Sequence, residues 1–322
     1  MTTQGPIRIA TRASDLALYQ ANLVKSMLES HGHAAELVTF KTVGDKKLDE
    51  PLSAIGAKGL FTKELEAALG KGKVDCCVHS LKDLPTESPD GLAIGAVLKR
   101  EDPRDVLVIG DVASAESLDE LPRGSRVGTS SLRRRAQLAA HRQDLDIVEL
   151  RGNVPTRVKK VDTGIVHAAI LAAAGLRRLG ISQHITATLD APDWLPAPGQ
   201  GAIAVQIRSG DARMRELSAL LNDERTMIDI RAERAFLGAL EGGCQVPIGA
   251  LVMPRDGGEG YVLHGLIADL DGKRVVRGEI ALDEQKPELC GVRLANQLRG
   301  EGATEILEGL RRAQHLPSPQ PE

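Results

Sequence analysis

The chain has 322 residues, with 41 Lys plus Arg against 44 Asp plus Glu, which gives a formal net charge of −3 at pH 7. A charge so close to zero argues against a protein that coats nucleic acid or a membrane surface, because both need a broad positive field. Only 2 % of the residues are aromatic, which argues against a platform for stacking bases, whereas 42 % are apolar, enough for a buried core. The length favours two or three domains.

The first two thirds of the chain alternate strand-like and helix-like segments. A helix is expected to begin at Ser14 and to end near Gly32, and another is expected over 61–69. The strands are expected at 7–11, 36–42, 75–79, 92–98, 106–109, 126–128, 147–150 and 168–171. This rhythm predicts two α/β layers built on mostly parallel sheets.

The last third changes character and predicts a small α+β domain, in which Asp271-Gly272 marks the turn of a hairpin. Its helices and strands are expected, in chain order, over 223–240, 248–253, 261–269, 274–282, 288–298 and 304–313. The last residues, 316–322, hold three prolines and are expected to be disordered.

The sequence has four cysteines: Cys76, Cys77, Cys244 and Cys290. They do not make a disulfide framework for a chain this long, and no two of them form a C-x-x-C pair. The spacing of the first two relative to His79 is poor for zinc, and no metal site is expected. Residues 1–12 lack the apolar stretch of a signal peptide, and the longest apolar-rich run, 165–176, is too short to span a bilayer. The expected location is the cytosol.

The first informative feature is a basic block over 123–160, where ten Lys and Arg residues are opposed by only three acidic ones. The block carries +7, so the rest of the chain carries −10. Within it, Gly128-Thr129-Ser130-Ser131 follows a strand and opens a helix that begins with Arg133-Arg134, and Arg151-Gly152-Asn153 repeats the arrangement after the next strand. Backbone N–H groups, hydroxyls, the helix dipole and guanidinium groups are expected to converge there on a cleft for a polyanionic ligand. The alternative is a solvated helix face with ordinary ion pairs.

A second feature is the segment His79-Ser80-Leu81-Lys82-Asp83-Leu84-Pro85, in which charged residues follow a buried strand at once. Pro85 is expected to hold Leu84 extended, which places Asp83 in a shaped loop at the carboxyl end of the strand. A carboxylate there can hydrogen-bond a ligand N–H, stabilise a carbocation or move a proton. The alternative for a lone Asp is a helix or turn cap, and His79 is interpreted as structural.

A third feature is Glu241-Gly242-Gly243-Cys244-Gln245-Val246-Pro247-Ile248-Gly249, with a cysteine between glycines in the loop after the long helix. Glycines let a backbone approach a ligand closely, and such a thiol is exposed enough to react or to be modified. The alternative is an inert loop cysteine. The sequence has no Walker loop, G-x-G-x-x-G, H-E-x-x-H or G-x-S-x-G motif, which weakens the commonest nucleotide, zinc-protease and serine-hydrolase interpretations.

Taken together, the motifs resemble the porphobilinogen deaminase family. The matching segments run in the family's order, and the C-terminal region also fits more weakly: 8–14, 59–66, 79–85, 100–105, 128–134, 151–153, 195–202 and 241–249. The resemblance implies a transferase that joins four porphobilinogen units head to tail, releases ammonia at each addition and frees hydroxymethylbilane by hydrolysis, in tetrapyrrole biosynthesis. Porphobilinogen is the expected partner, with no nucleic acid and no membrane, and a monomer is expected.

The resemblance also implies a dipyrromethane cofactor, held by a thioether, on which the growing chain is primed. Cys244 matches the attachment cysteine. Asp83 matches the catalytic carboxylate, which would stabilise the cationic azafulvene left by the loss of ammonia and bond the pyrrole N–H groups.

Further positions match the family's ligand contacts, because each porphobilinogen unit brings two carboxylates that call for guanidinium groups. The positions expected to bind the cofactor, besides Cys244 and Asp83, are Lys82, Thr129, Ser130, Ser131, Arg133, Arg134, Arg151 and Gly152. Those expected to bind substrate are Arg12, Ser14, Lys58, Arg157, Arg178 and Gln200. Two positions depart from the family: Ala54 replaces a ligand-binding lysine, and Pro155 replaces a smaller or polar residue in the first turn of a helix, where proline is tolerated.

The fold that the resemblance implies has two α/β domains similar to periplasmic binding proteins, with mixed sheets flanking a cleft, and a small C-terminal α+β domain. The first domain is expected to comprise 1–101 and 202–219, and the second 102–201, with the basic face. The third is expected over 220–315, with the cysteine loop, and 316–322 form the disordered tail.

Three competing interpretations stay open. An anion-binding protein would share the basic cleft but would need neither Cys244 nor a third domain. A nucleic-acid binder would use Arg133-Arg134-Arg135 with Lys159-Lys160, although the few aromatic residues and the acidic remainder count against it. An inactive family member is the third, because the sequence does not show whether the cofactor is loaded.

Overall fold

The computed structural model describes residues 5–42, 44, 61–240 and 246–314, and the side chains of all of these except 313 and 314. The chain divides into two compact units, each made of three separate segments. The first unit comprises Met1–Pro103, Ala172–Ser182 and Gly199–Ile228, and the second comprises Arg104–Leu171, Gln183–Pro198 and Asp229–Glu322. The domain boundaries expected from the resemblance stay a prediction. In the described part of the chain no helix combines the length and the apolar character needed to cross a membrane.

The strands of the described residues are, in chain order, β1 (Ile7–Arg12), β2 (Ala35–Phe40), β3 (Cys76–Ser80), β4 (Leu92–Val97), β5 (Asp105–Ile109), β6 (Arg126–Gly128), β7 (Asp146–Val148), β8 (Ala168–Ala172), β9 (Ala187–Leu189), β10 (Ile203–Arg208), β11 (Ile248–Pro254), β12 (Tyr261–Ala268) and β13 (Val275–Ala281). Their α-helices are α1 (Asp15–Ser30), α2 (Lys63–Gly70), α3 (Leu132–His141), α4 (Val154–Asp162), α5 (Ala173–Arg178), α6 (Ala212–Ala219), α7 (Glu224–Ala239), α8 (Pro287–Leu298) and α9 (Thr304–Gln314).

The first unit contains a five-stranded sheet in the order β2-β1-β3-β10-β4. Strands β1, β2 and β3 are parallel, whereas β10 runs antiparallel to both β3 and β4. Alternate residues of β1, Ile7 and Ile9, pack into the core. The helix α1 buries its 21, 24 and 28 positions in the same core, as its apolar spacing predicts.

The second unit contains two sheets. One has the order β7-β6-β8-β5-β9, with β6 parallel to β7 and β8, and with β5 antiparallel to β9. The other is the antiparallel sheet β11-β12-β13, whose core includes Phe236 of α7 and Leu294 of α8. The predicted Asp271-Gly272 turn joins β12 to β13, where the Gly272 N–H donates to the Asp269 carbonyl.

The expected fold class, α/β with mixed sheets and a small C-terminal α+β part, is confirmed, and the predicted elements lie within about two residues of their expected bounds. Four elements were not anticipated: β9, β10, α5 and α6. Strand β9 pairs antiparallel with β5, and β10 pairs antiparallel with β3. The alternation of strands and helices in the sequence therefore predicted a larger share of parallel strand pairs than the sheets contain. Strand β10 escapes a pattern search because Gln206 interrupts its apolar run and a proline- and glycine-rich segment precedes it.

Candidate active site

Asp83 lies at the carboxyl end of β3, in a single 3-10 turn formed by Leu81–Asp83. The turn is fixed by its flanking leucines: both are buried, and the Leu81 N–H donates to the Ala202 carbonyl at the start of β10 (3.0 Å). Leu84 is extended, with ψ 135°, as Pro85 predicts. Asp83 and Lys82 are half-buried, so the turn presents one carboxylate and one ammonium group at the edge of the sheet.

Lys82 is held by Gln200. The Lys82 Nζ donates to Gln200 Oε1 (3.1 Å), and the amide Nε2 of this fully buried glutamine donates to the Pro103 carbonyl (2.8 Å). The backbone carbonyl of Gln200 accepts from Arg100 Nε (2.9 Å). Gln200 therefore sits in a fixed position, with its side chain bridging the lysine and the main chain.

Strand β1 brings two more predicted residues to the same edge, because β1 and β3 are parallel neighbours whose carboxyl ends meet there. The Arg12 guanidinium lies over the Phe61 ring, 4.3 Å from its centroid. Ser14 occupies the N-cap position of α1, but its side chain makes no capping hydrogen bond to any described residue. The structure thus brings together Arg12, Ser14, Lys82, Asp83 and Gln200.

Arg178, near the end of α5, belongs to the same unit. Its Nη2 donates to the carbonyl of Gly201 (2.6 Å), the residue next to Gln200. Burial lowers the pKa of this guanidinium, and the nearby Glu101 acts in the opposite direction. A guanidinium stays charged at neutral pH, so Arg178 supplies a partly desolvated cation.

Two predicted site residues, Lys58 and Cys244, lie outside the described residues, as do Ala54 and the glycines next to Cys244. The three described cysteines are buried. Within the described ranges, no group of His, Cys, Asp and Glu side chains is arranged to hold a metal ion.

The second group of predicted residues begins where β6 ends. Ser131 caps α3, and its Oγ accepts from the Arg134 N–H (3.4 Å). Thr129 Oγ1 accepts from the Ser131 N–H (3.2 Å), and Ser130 Oγ donates to the Leu150 carbonyl beyond the end of β7 (2.8 Å). Gly128 permits this approach, because a Cβ there would lie 2.8 Å from Leu150. The hydroxyls therefore shape the turn before α3.

Arg133 and Arg134 converge on one spot, as predicted, but a carboxylate of the chain itself occupies it. Asp105 Oδ2 accepts from Arg133 Nη1 (2.7 Å), and Oδ1 accepts from Arg134 Nη2 (2.7 Å) and Nε (3.1 Å). The arginine side chains are 4 % and 6 % exposed, and Asp105 is fully buried. The interpretation of a solvated helix face is therefore wrong for both residues.

The charge balance of this cluster depends on Asp105. Burial alone would raise the pKa of its carboxyl, but Arg133 and Arg134 together bring it well below its usual range. A fourth donor, the Trp194 indole Nε1, bonds Asp105 Oδ2 (2.9 Å). Burial lowers the pKa of Arg133, and the Asp105 carboxylate opposes that effect. One carboxylate thus holds two buried cations next to the start of α3.

The second turn, after β7, places Arg151, Gly152 and Arg157 at the start of α4. Gly152 has φ +114°, and its carbonyl accepts from Arg157 Nε (2.8 Å). The Arg151 carbonyl accepts from Lys160 Nζ (3.1 Å), and Arg151 Nη1 lies 3.7 Å from Glu149 Oε1. Because β6 and β7 are parallel neighbours, this turn and the one before α3 lie at the same edge of their sheet.

Two structural details of α4 explain its sequence. Asn153 caps the helix, with Oδ1 accepting from the Thr156 N–H (2.9 Å). Pro155 lies in the first turn, where its missing N–H has no partner to lose. The first-turn position expected for Pro155 is thus confirmed, and the tolerance of this departure from the family stays a prediction.

The basic residues of the block do not form one positive surface, because they lie at both edges of the sheet. Arg126 begins β6, and Arg142 follows the end of α3. The Arg142 guanidinium bonds Asp144 and the carbonyls of Leu118, Asp119 and Leu121. The net charge of +7 counted for the block therefore overstates the positive charge available at the expected cleft.

The dipyrromethane cofactor implied by the resemblance carries carboxylates and pyrrole N–H groups, and the described donors fit it. Arg133 Nε is buried and has no hydrogen-bond partner within the described residues. An unpaired buried N–H costs free energy, so a ligand oxygen at this nitrogen would satisfy it. The Asp83 carboxylate supplies the acceptor that pyrrole N–H groups need.

Three residues of the second group were missed by sequence reasoning: Asp105, Gln137 and Trp194. Asp105 lies in the Arg100–Asp105 motif but was given no role, and Trp194 is the one tryptophan of the sequence. Gln137 follows Arg133 by four residues on a helix, which places both on one face. That spacing was the available signal for Gln137, whereas only the folded chain brings Asp105 to the arginines.

Comparison with known proteins gives the family. A model described as "Porphobilinogen deaminase, dipyromethane cofactor binding domain" matches residues 7–216, and one described as "Porphobilinogen deaminase, C-terminal domain" matches residues 227–300. The chain is 51 % identical to the porphobilinogen deaminase of Moorella thermoacetica over 304 residues, which cover 94 % of this chain and 96 % of that one. It is 48 % identical to that of Xanthomonas oryzae pv. oryzae over 312 residues, with 96 % and 100 % covered.

Among solved structures, the methionine-binding protein MetQ aligns with 69 % of this chain and 91 % of its own, with 16 % identity and a TM-score of 0.43. A nutrient-binding protein from Burkholderia cenocepacia bound to methionine aligns with 66 % of this chain and 90 % of its own, with 13 % identity and a TM-score of 0.42. The first family model alone matches more than half of the chain. The chain belongs to the porphobilinogen deaminase family, and it is a transferase of tetrapyrrole biosynthesis.

Proposed function

We propose that the chain condenses four porphobilinogen units head to tail, with loss of ammonia at each addition, and releases hydroxymethylbilane by hydrolysis. Family membership over almost the whole chain supports this reaction. The observation that carries the residue assignment is the placement of one carboxylate, Asp83, and two cations, Arg12 and Lys82, at the same edge of the first sheet.

Asp83 is the catalytic carboxylate of this proposal. When the aminomethyl group of porphobilinogen loses ammonia, positive charge develops on the carbon and spreads into the pyrrole ring. A carboxylate held in a half-buried turn stabilises that charge more than one in bulk water does, and it needs no reorganisation. The same oxygens accept a hydrogen bond from the pyrrole N–H, and this bond orients the ring.

The cationic residues bind the carboxylates of the substrate and of the growing chain. Arg12, Ser14, Lys58, Arg157, Arg178 and Gln200 are assigned to the substrate. Planar guanidinium groups bind carboxylates through two parallel hydrogen bonds, which fixes orientation as well as position. The stacking of Arg12 on Phe61 holds its plane, which favours this geometry.

Cys244 is assigned as the attachment point of dipyrromethane, whose terminal pyrrole carbon supplies the nucleophile for the first condensation. Lys82, Thr129, Ser130, Ser131, Arg133, Arg134, Arg151 and Gly152, with Asp83, are assigned to its binding. The unpartnered Arg133 Nε and the helix N-terminus behind Ser131 support the assignment. A cytosolic location and a monomeric state complete the proposal.

Intact mass spectrometry of the purified protein tests the covalent assignment. The wild-type mass should exceed the sequence mass by one dipyrromethane, and Cys244→Ser should lack the adduct. Cys290→Ser is the matched control, because Cys290 is buried in α8, and that variant should keep the adduct. An unmodified wild-type protein that makes no product from porphobilinogen would contradict the proposal.

A further inference from the structure

Gln137 lies on α3 four residues after Arg133 and is almost completely buried, with 2 % of its surface exposed. Its amide makes two hydrogen bonds to the backbone of a single residue. Gln137 Nε2 donates to the Leu195 carbonyl (3.0 Å), and the Leu195 N–H donates to Gln137 Oε1 (2.9 Å). This two-point bond fixes the Leu195 backbone as a neighbouring strand would.

The same Leu195 carbonyl accepts a hydrogen bond from Arg133 Nη1 (2.8 Å). Nη1 also donates to Asp105 Oδ2, so both of its hydrogens are used. Two acceptors on one nitrogen fix the plane of the guanidinium. The buried Nε, which has no hydrogen-bond partner in the described residues, then points in a direction set by the Leu195 carbonyl.

The segment around Leu195 also fixes the strand that follows the cysteine segment. The Pro196 carbonyl accepts from the Ala250 N–H of β11 (3.1 Å). A Cβ on Gly249 would lie 2.8 Å from the Leu195 Cβ, so the two backbones touch. β11 begins at Ile248, four residues after Cys244. The backbone held by Gln137 therefore connects the arginine to the strand next to the attachment cysteine.

We propose that Gln137 is a positioning residue, which orients Arg133 toward the carboxylates of the bound ligand by holding the Leu195 carbonyl. The inference rests on the proposed function, because it takes Arg133 as a ligand-binding residue. A side chain that only filled space would not need an amide here. The site needs a donor for the carbonyl and an acceptor for the N–H in one plane, and among side chains of this length only glutamine offers both.

The test compares Gln137→Met, which keeps the length and loses both hydrogen bonds, with Leu138→Val. Leu138 is fully buried on the same helix and packs in the apolar core of the sheet, so it controls for a general loss of stability. Gln137→Glu is the second variant, because it keeps the acceptor and the shape, loses the donor and adds a negative charge. Each variant is measured by the loaded fraction in intact mass and by KM and kcat for porphobilinogen.

We expect Gln137→Met to raise KM about tenfold with kcat changed less, and to lower the fraction of protein that carries the cofactor. Leu138→Val should lower Tm by a similar amount but leave KM and the loaded fraction close to the wild-type values. In an Arg133→Lys background, adding Gln137→Met should change KM less than twofold, because the positioned group is already gone.

Two results would overturn the inference while leaving the proposed function intact. One is a Gln137→Met protein with the KM and loading of Leu138→Val; if that variant does not fold, the same result for Gln137→Glu decides. The other is a full, independent effect of Gln137→Met in the Arg133→Lys background. Failure of the proposed function shows differently, as a wild-type protein that forms no product.

Discussion

The buried polar side chains of this protein form connected groups. In the first unit, His79 Nε2 donates to Gln206 Oε1 (3.2 Å), whose Nε2 donates to Glu66 Oε1 (3.2 Å), and Thr62 Oγ1 donates to Glu66 Oε2 (3.1 Å). All four residues are at most 8 % exposed. Since an unpaired buried polar group costs about 1–3 kcal/mol, each depends on its neighbours.

The chemistry depends first on Asp83. We expect Asp83→Asn to keep the fold, because the side chain lies in a half-buried turn held by Leu81 and Leu84. The loss of the negative charge should lower kcat by at least about 100-fold, since an amide stabilises a developing cation poorly. Steady-state assays with porphobilinogen measure kcat, and circular dichroism reports the fold. Normal turnover would remove Asp83 from its role.

His79 gives the protein a pH-dependent stability. Burial lowers the pKa of His79 to about 4; the bond to Gln206 acts against this shift, and Arg12 adds to it. The unfolded imidazole takes up a proton below about pH 6.5, whereas the native one stays neutral down to about 4, so stability is lost as pH falls between these values. The loss should reach about 3 kcal/mol.

Urea unfolding between pH 7 and 4 tests that expectation. His79→Gln keeps a donor for Gln206 but does not titrate, so its free energy of unfolding should fall less steeply over this range. Parallel curves for the two proteins would mean that the native His79 titrates normally.

Asp105 is expected to be one of the most sensitive residues for stability. Asp105→Asn leaves Arg133 and Arg134 as buried cations without a counter-charge, which should cost about 3–5 kcal/mol of unfolding free energy. Asp190→Asn is the control, because its ion pair with Arg104 is exposed and should contribute at most about 1 kcal/mol. Equal losses in denaturant unfolding would show that the buried cluster is dispensable.

At the scale of elements, the hairpin between β12 and β13 packs against the last turns of α3. A Cβ on Gly272 would lie 2.2 Å from the Ala140 backbone nitrogen, and the residue has φ +71°. A shared core links the same parts, with Ala136 of α3 packed with Leu251 and Leu266 of the C-terminal sheet. The helix that carries Arg133 is therefore held at both ends, by Asp105 and by this turn.

Gly272→Ala separates this close approach from backbone strain. Both the positive φ and the contact with a backbone atom oppose the new methyl, so the loss should be about 2–4 kcal/mol. Gly257→Ala is a matched control in the other hairpin of the sheet, with φ +65° and no atom of the described residues within 4 Å of the added Cβ, and should cost about 1 kcal/mol. Thermal unfolding compares them, and equal losses would mean that the turn does not press on α3.

Most elements of this fold were predictable, because β1, β3, β5 and α1 have apolar patterns and turn residues that agree with their final state. The turns that carry Asp83 and Ser131 were also predictable, since charged or hydroxyl residues follow a strand at once. The Asp105 cluster was not: its partners are 28 to 89 residues away in sequence, and no local pattern reports such a pairing. Charge counting failed for the same reason, because it takes no account of buried counter-ions.

At the scale of the whole molecule, a chain with net charge −3 has to attract a substrate that brings two carboxylates. The cations able to do so lie at the carboxyl ends of the parallel strands, whereas Arg123, 90 % exposed, pairs with Asp144 near the start of β6. The position of an arginine within the fold, and not its place in the basic block, should then decide whether it contributes to substrate binding.

We expect Arg157→Gln to raise KM for porphobilinogen several-fold at low salt, because a cation at the start of α4 is lost. The difference from wild type should shrink as added salt screens the remaining charges. Arg123→Gln removes the same charge from the same block and should leave KM unchanged. A similar rise in KM for both variants would mean that the whole basic block attracts the substrate through one general positive field.

The position of β10 has a consequence for the folding of the nascent chain. Ile203 pairs with Ser80, more than a hundred residues earlier, and β10 lies between β3 and β4 inside the sheet. The ribosome therefore releases every strand of the β7-β6-β8-β5-β9 sheet before the first sheet can close. Until then, β3 and β4 present unpaired edges of the kind that recruit other strands. The half of the protein that carries Asp83 begins first and is completed late, so it is the part that most needs protection during synthesis.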